Sequence, residues 1–281
     1  MLGGGLLPGK LTVVLGASGI GKTQLGIQFA HRGRLEEGQT GLIFDMTARG
    51  DSQNHADYAR RLCHWELQEG SANGAVDLDR AWDSLAGRCD YLRVFDRAGR
   101  RVTARDLSED DWHSWKKEQV RKLDRVIEFF YSNFAAGVRR CVIDGIEPTD
   151  TASNSIQFET FEYIYQQILH KDYDWLARDL FRAKFLANRS AVDRHAYDHR
   201  NIGCLMLCTS HEVLLDQLID RPIQSGDVLS NANTIILMGK TRQGNQVGRA
   251  LQIAKHRGSV CDESVRPFQI ASTGIELLPI V

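Results

Sequence analysis

Residues 16–23 read Gly-Ala-Ser-Gly-Ile-Gly-Lys-Thr, a Gly-x4-Gly-Lys-Thr loop set between the apolar run Leu11–Leu15 and a helix-like stretch, Gln24–Arg34. A strand that turns through glycines straight into a helix commits this part of the chain to an α/β core, because the loop works only when both elements hold it. Small glycines let backbone amides converge on phosphate, and the helix that follows points its positive end at them. The segment Gly16, Ala17, Ser18, Gly19, Ile20, Gly21, Lys22, Thr23 and Gln24 is therefore the candidate binding site for a nucleoside triphosphate such as ATP. Lys22 is expected to reach the terminal phosphates and Thr23 to ligate Mg²⁺.

Short apolar runs recur along the chain at Leu11–Leu15, Gly41–Asp45, Cys141–Asp144, Ile202–Thr209, Thr234–Met238 and Leu251–Ala254, with a final pair near Phe268–Ala271 and Ile275–Leu278. Their hydrophobicity is continuous rather than alternating, so the strands are expected to be covered on both faces in a twisted, mostly parallel sheet. The last pair, split by Ser272-Thr273-Gly274, reads as a C-terminal antiparallel hairpin at the sheet edge. Two charged and aromatic stretches, about 51–138 and 155–200, break the rhythm and read as largely helical insertions in one domain spanning 1–281. A helix is expected over Trp115–Phe134. The aromatics of the second stretch, Phe158, Phe161, Tyr163, Tyr165, Tyr173, Trp175, Phe181 and Phe185, are expected to pack its helices on the core.

With 281 residues, 42% hydrophobic and 25% charged, the chain is long enough for one sizeable core. Lys plus Arg (35) nearly cancel Asp plus Glu (36), which argues against constitutive binding to nucleic acid or membrane by a global positive field. The six cysteines lack metal-site spacing, and no uncharged apolar run is long enough to span a bilayer. A cytoplasmic protein is the expectation.

Cys141-Val142-Ile143-Asp144 ends an apolar strand on a carboxylate, which suits a group held beside a Mg²⁺ on Thr23. Around these motifs the chain resembles the KaiC-type branch of the RecA-like P-loop ATPases. The resemblance lies in Gly3-Gly4-Gly5-Leu6-Leu7-Pro8-Gly9-Lys10 ahead of the loop, Gln24–Ala30 after it, and Gly41-Leu42-Ile43-Phe44-Asp45 as the next strand. It extends to Leu229–Leu237, Arg249–Ser259 and Gly274–Leu277 near the carboxyl end. It implies ATP bound between neighbouring subunits of a homo-oligomeric ring or filament.

That likeness assigns further roles. Lys255 and Arg257, two apart on an expected strand and so on one face, would act on the neighbouring subunit's γ-phosphate in the manner of an arginine finger. A glutamate usual after the second strand is missing. One alignment puts Asp45 in its place as a weakly placed catalytic base, another puts Thr47 there, and turnover should be slow or absent. Ser210 and His211 stand where a γ-phosphate sensor is expected. The regions implied to meet DNA hold Glu147, Asp150, Glu212, Asp216, Asp220 and Asp227 against Arg221, the wrong sign for phosphate contacts. DNA recombination is thus the least favoured function, behind slow ATP hydrolysis and a nucleotide-gated interaction module that engages a protein partner through the insertions.

Two weaker patterns remain. His195 and His199, at i and i+4, would share a helix face beside Asp193 and Asp198, a metal pattern set against a plain charge mosaic. Trp112-His113-Ser114-Trp115 reads as a helix anchor or a partner contact. The likeness also leads one to expect a short segment ahead of the first glycines, lost here or encoded upstream of Met1.

Overall fold

A computed structural model describes residues 1–47, 55–72, 76, 78–82, 88–95, 108–111, 113–114, 117, 122–146, 156–221 and 228–279. Among these residues ten strands form one sheet: β1 (Leu11–Ala17), β2 (Leu42–Asp45), β3 (Glu69–Ser71), β4 (Tyr91–Arg93), β5 (Arg140–Ile146), β6 (Gly203–Ser210), β7 (Thr234–Gln243), β8 (Gln246–His256), β9 (Arg266–Ala271) and β10 (Gly274–Leu277). Their spatial order is β10-β9-β8-β7-β1-β6-β5-β2-β4-β3. From β7 to β3 all pairings are parallel, whereas β7, β8, β9 and β10 pair antiparallel. The antiparallel part is thus larger than a terminal hairpin. The α/β class and the mostly parallel sheet follow the expectation.

Adjacent residues of β1 show why the strands are apolar throughout. Val14 packs with Ile27 and Ala30 of α1 (Lys22–Glu36) and with Ile43, Val142 and Leu205 on one face. Val13 turns to the other face and joins Phe44, Ile143 and Met206. That second face is roofed by α3 (Leu123–Ala135) and, after α4 (Ile156–Tyr163), by α5 (Tyr173–Phe181) and α6 (Phe185–Arg194), and Phe130, Phe134, Phe181 and Phe185 of this roof are buried. Each central strand is sandwiched, so no polar alternation remains in its sequence.

The stretch 51–138 does more than interrupt the sheet. It supplies α2 (His55–Cys63) on the α1 face and the short strands β3 and β4, which extend the sheet beyond β2. Trp82 from this stretch stacks on Phe181 at 5.3 Å and on His195 at 4.7 Å, joining it to the 155–200 helices. In the second stretch Phe161, Phe181 and Phe185 enter the core as expected, while Trp175 stays 58% exposed. Of the helix expected over Trp115–Phe134, α3 supplies the part from Leu123 on, and 115–116 and 118–121 lie outside the described residues. Among the described residues no helix is long and apolar enough to cross a membrane.

The β9–β10 hairpin is fastened to α1 by Gln28. Its Oε1 accepts from the Ile275 amide at 2.8 Å, and its Nε2 donates to the Thr273 and Ile275 carbonyls at 3.3 and 3.4 Å. Gln28→Ala is expected to cost about 1–3 kcal/mol in urea unfolding, since the hairpin amide loses its acceptor. Amide exchange should speed up across Gly274–Leu277, and unchanged exchange there would remove this role from Gln28.

Candidate functional site

β1 delivers Gly16 and Ala17 to the C-terminal edge of the parallel strands, and α1 starts at Lys22. Between them Gly21 takes φ 120°, and a Cβ there would lie 3.2 Å from Ile275 Cδ1, so glycine both makes the turn and admits the hairpin. No side chain caps α1, and its first turn carries no acid, an arrangement that suits an anion at the start of the helix. A Cβ on Gly19 would meet nothing within 4 Å, so the loop opens outward. The Lys22 ammonium folds back onto its own loop, donating to the Gly16 and Ala17 carbonyls at 2.9 Å each. Burial lowers its pKa, opposed by the charge of Asp144 and by Cys208. Gln24 is buried, and its Oε1 has no hydrogen-bond partner among the described residues.

Beside the loop, register places Asp144 of β5 next to Asp45 of β2, and Asp45 next to Arg93 of β4. Paired residues of parallel strands project to one face, here the α1 face. A bulge follows Asp144, where Gly145 has φ 99° and a Cβ would sit 2.3 Å from the Thr47 amide nitrogen. Only glycine lets β5 turn away so tightly against β2.

Thr23 Oγ1 donates to Asp144 Oδ2 at 2.8 Å, bringing together the two residues expected on the metal side. Asp45 is 1% exposed, and both its oxygens are engaged. Its Oδ1 accepts from the Thr47 amide at 2.8 Å and its Oδ2 from the Tyr91 hydroxyl at 2.7 Å. Between the two acids lies His55, the first residue of α2 and one that no motif marks out. Its Nε2 is 3.0 Å from Asp144 Oδ2 and its Nδ1 3.5 Å from Asp45 Oδ2. Burial disfavours the imidazolium, but the hydrogen bond to Asp144 and the fields of Asp45 and Asp144 outweigh burial and the opposing Arg93, raising the pKa. Asp144 is shifted down: burial acts against its charge, yet His55, Thr23 and Lys22 prevail. Tyr91, buried beside Asp45, is pushed above the normal phenol range and stays a donor.

Other expected residues fall elsewhere. Lys255 lies at the far end of β8 and Arg257 just past it, opposite the start of β7 and thus at the other edge of the sheet from the loop. β8 ends at His256, so Lys255 is on the strand and Arg257 is one residue beyond it, and Lys255 donates to the Ser230 and Leu229 carbonyls at 2.9 and 3.3 Å. Arg257 is exposed. Ser210 hydrogen-bonds the Glu212 carboxylate, and His211 is exposed. His195 and His199 do not share a helix: α6 ends at Arg194, His195 Nδ1 lies 2.8 Å from the Ala191 carbonyl, and His199 pairs with Asp172. Trp112, Trp115, residues 147–155 and 222–227 lie outside the described residues.

The donor set fits a magnesium nucleotide. Among the described residues no cluster of three or more His, Cys, Asp or Glu could hold a metal alone. A hydroxyl and one carboxylate beside an amide-lined loop suit Mg²⁺, which is usually bound through one or two carboxylates plus phosphate oxygens and water.

No family model matches the chain. It is 22% identical over 281 residues to the circadian clock protein KaiC2 of Synechocystis sp., an alignment covering 99% of this chain and 38% of that protein. The chain therefore spans well under half the length of that relative. The match supports a KaiC-like, RecA-like relationship.

The protonation states of the His55–Asp144 pair set a pH window. With a raised His55 pKa, the folded chain holds that proton above the unfolded value of about 6.5, so this stabilisation is lost as pH rises through the folded value. With a lowered Asp144 pKa the sign reverses, and its contribution is lost as pH falls through the folded value, below about 3.9. The stability difference between wild type and His55→Gln in urea should be largest from about pH 4 to 6.5 and shrink above that. A difference that grows toward pH 9 would contradict the assignment.

Proposed function

We propose that this chain binds ATP with Mg²⁺ in the Gly16–Gln24 loop and hydrolyses it slowly, at interfaces between copies in a homo-oligomer. One observation carries the reading: an uncapped helix start, an inward-folded Lys22 and a Thr23–Asp144 contact at 2.8 Å converge on one open loop. On nucleotide entry the Lys22 ammonium leaves the Gly16 and Ala17 carbonyls for phosphoryl oxygens, and the loop amides take others. Thr23 and Asp144 would hold Mg²⁺, which when bound neutralises charge building on the transferred phosphoryl group.

Slow turnover is part of the proposal. Asp45, the candidate base, already accepts from Thr47 and Tyr91 and lies 3.5 Å from His55, so it meets an attacking water only after rearrangement. Lack of a positioned base costs about 10²–10⁴ in rate. The same observation favours a second reading, in which nucleotide occupancy regulates assembly or a protein partner with little hydrolysis. The position of Arg257, exposed and away from its own loop, supports action on a neighbouring subunit.

Calorimetry with ATP–Mg²⁺ is expected to show binding that Lys22→Ala weakens by about ten- to hundredfold, the loss of charge-assisted hydrogen bonds. Equal affinity in the variant would sink the assignment. For the interface, Lys22→Ala and Arg257→Ala should each release little phosphate alone, while a mixture regains part of the wild-type rate. No regain on mixing would place the reaction within single subunits.

A further inference from the structure

We propose that His55 is the positioning residue for Asp144, tying the metal side of the loop to α2. The inference rests on the nucleotide reading above and assigns a role in it to a segment outside the loop and its neighbouring strands.

Asp144 Oδ2 receives contacts from two directions, Thr23 Oγ1 at 2.8 Å and His55 Nε2 at 3.0 Å. Two partners from different elements fix the rotation of the carboxylate, where Thr23 alone would leave it free to swing about Cβ–Cγ. His55 is itself held. Its ring lies 5.5 Å from the Tyr91 ring, its Nδ1 is 3.5 Å from Asp45 Oδ2, and Tyr91 and the Thr47 amide clamp Asp45 in turn. A continuous buried chain thus runs Thr23, Asp144, His55, Asp45, Tyr91, from α1 through β5, α2 and β2 to β4.

α2 is pinned at its far end too. Just beyond it, Trp65 Nε1 donates to Asp90 Oδ2 at 2.9 Å, and the Gln68 amide donates to Asp90 Oδ1 at 2.7 Å. The helix therefore spans two buried carboxylates, with His55 the attachment at the loop end and Asp90 anchoring the other. Its outer side carries exposed ion pairs such as Arg60 with Asp57 and Glu66, so the buried attachments and Ala59 set its position. Partners that orient a metal-side carboxylate typically change metal affinity or activity by about 10–100-fold when removed. Coupling is reciprocal, so a loaded metal side should steady α2 in return.

The test is calorimetric binding of ATP in Mg²⁺ and in EDTA to wild type, His55→Gln and His55→Phe, with amide exchange of α2 under the same conditions. In His55→Phe the affinity gained from Mg²⁺ should fall about tenfold or more while the EDTA affinity stays within about twofold. Gln, whose amide can still donate to Asp144, should restore part of that gain. In wild type, ATP–Mg²⁺ should protect α2 amides more than ATP in EDTA, and His55→Phe should abolish the difference. A full Mg²⁺ gain in His55→Phe, or equal losses with and without Mg²⁺, would overturn the inference alone. Absence of ATP binding to wild type would overturn the nucleotide reading and this inference with it. If His55→Phe does not fold, a Mg²⁺ gain in His55→Gln equal to wild type, with α2 protection unaffected by Mg²⁺, overturns the inference.

Discussion

Two carboxylates placed side by side in the interior are the constraint on which this architecture turns. Asp144 and Asp45 sit side by side near the ends of adjacent parallel strands and are 2% and 1% exposed. An uncompensated buried charge costs several kcal/mol, so each acid must be met by donors. Three of those donors come from elements distant in sequence, Thr23 from α1, His55 from α2 and Tyr91 from β4, and the Thr47 amide just beyond β2 is a local fourth. The acids thereby specify how α1, α2 and β4 approach the ends of β5 and β2. The bulge at Gly145 is the backbone counterpart, since it brings β5 against Thr47 without a clash.

What was legible in the sequence was whatever depends on near neighbours. The loop from Gly16 to Thr23 announces itself through fixed local spacing, and the central strands through unbroken apolar runs covered on both faces. The position of Asp144 beside the loop was legible from the apolar run that carries it, once the loop upstream had been read. His55 was not, because its partner lies 89 residues away and nothing in the order of residues around it distinguishes it from a surface histidine on an amphipathic helix. β3 and β4 escaped for another reason: three-residue strands give too short a pattern to separate from a loop. The two-residue spacing of Lys255 and Arg257 reads as one strand, whereas β8 ends between them at His256. In His195 and His199 the helix simply stops first.

The two stretches that break the strand rhythm are not equivalent. The second supplies helices that roof one face of the sheet. The first feeds both faces, through α2 on the loop side and through Trp82, which wedges between Phe181 and His195 on the other. Its core contributions explain why the sheet extends past β2 to β4 and β3. The electrostatic heart of the site is therefore assembled from both sides of a long excursion in the chain, which leaves at β2 and returns at β5.

The brevity of the outermost strands has a consequence for how copies of this chain can meet. β10 has four residues and β3 three. Borders this short offer few unpaired backbone groups as a template, a device that guards a sheet against runaway fibre growth. Any contact between copies that does not propagate the backbone ladder must draw on side chains and loops.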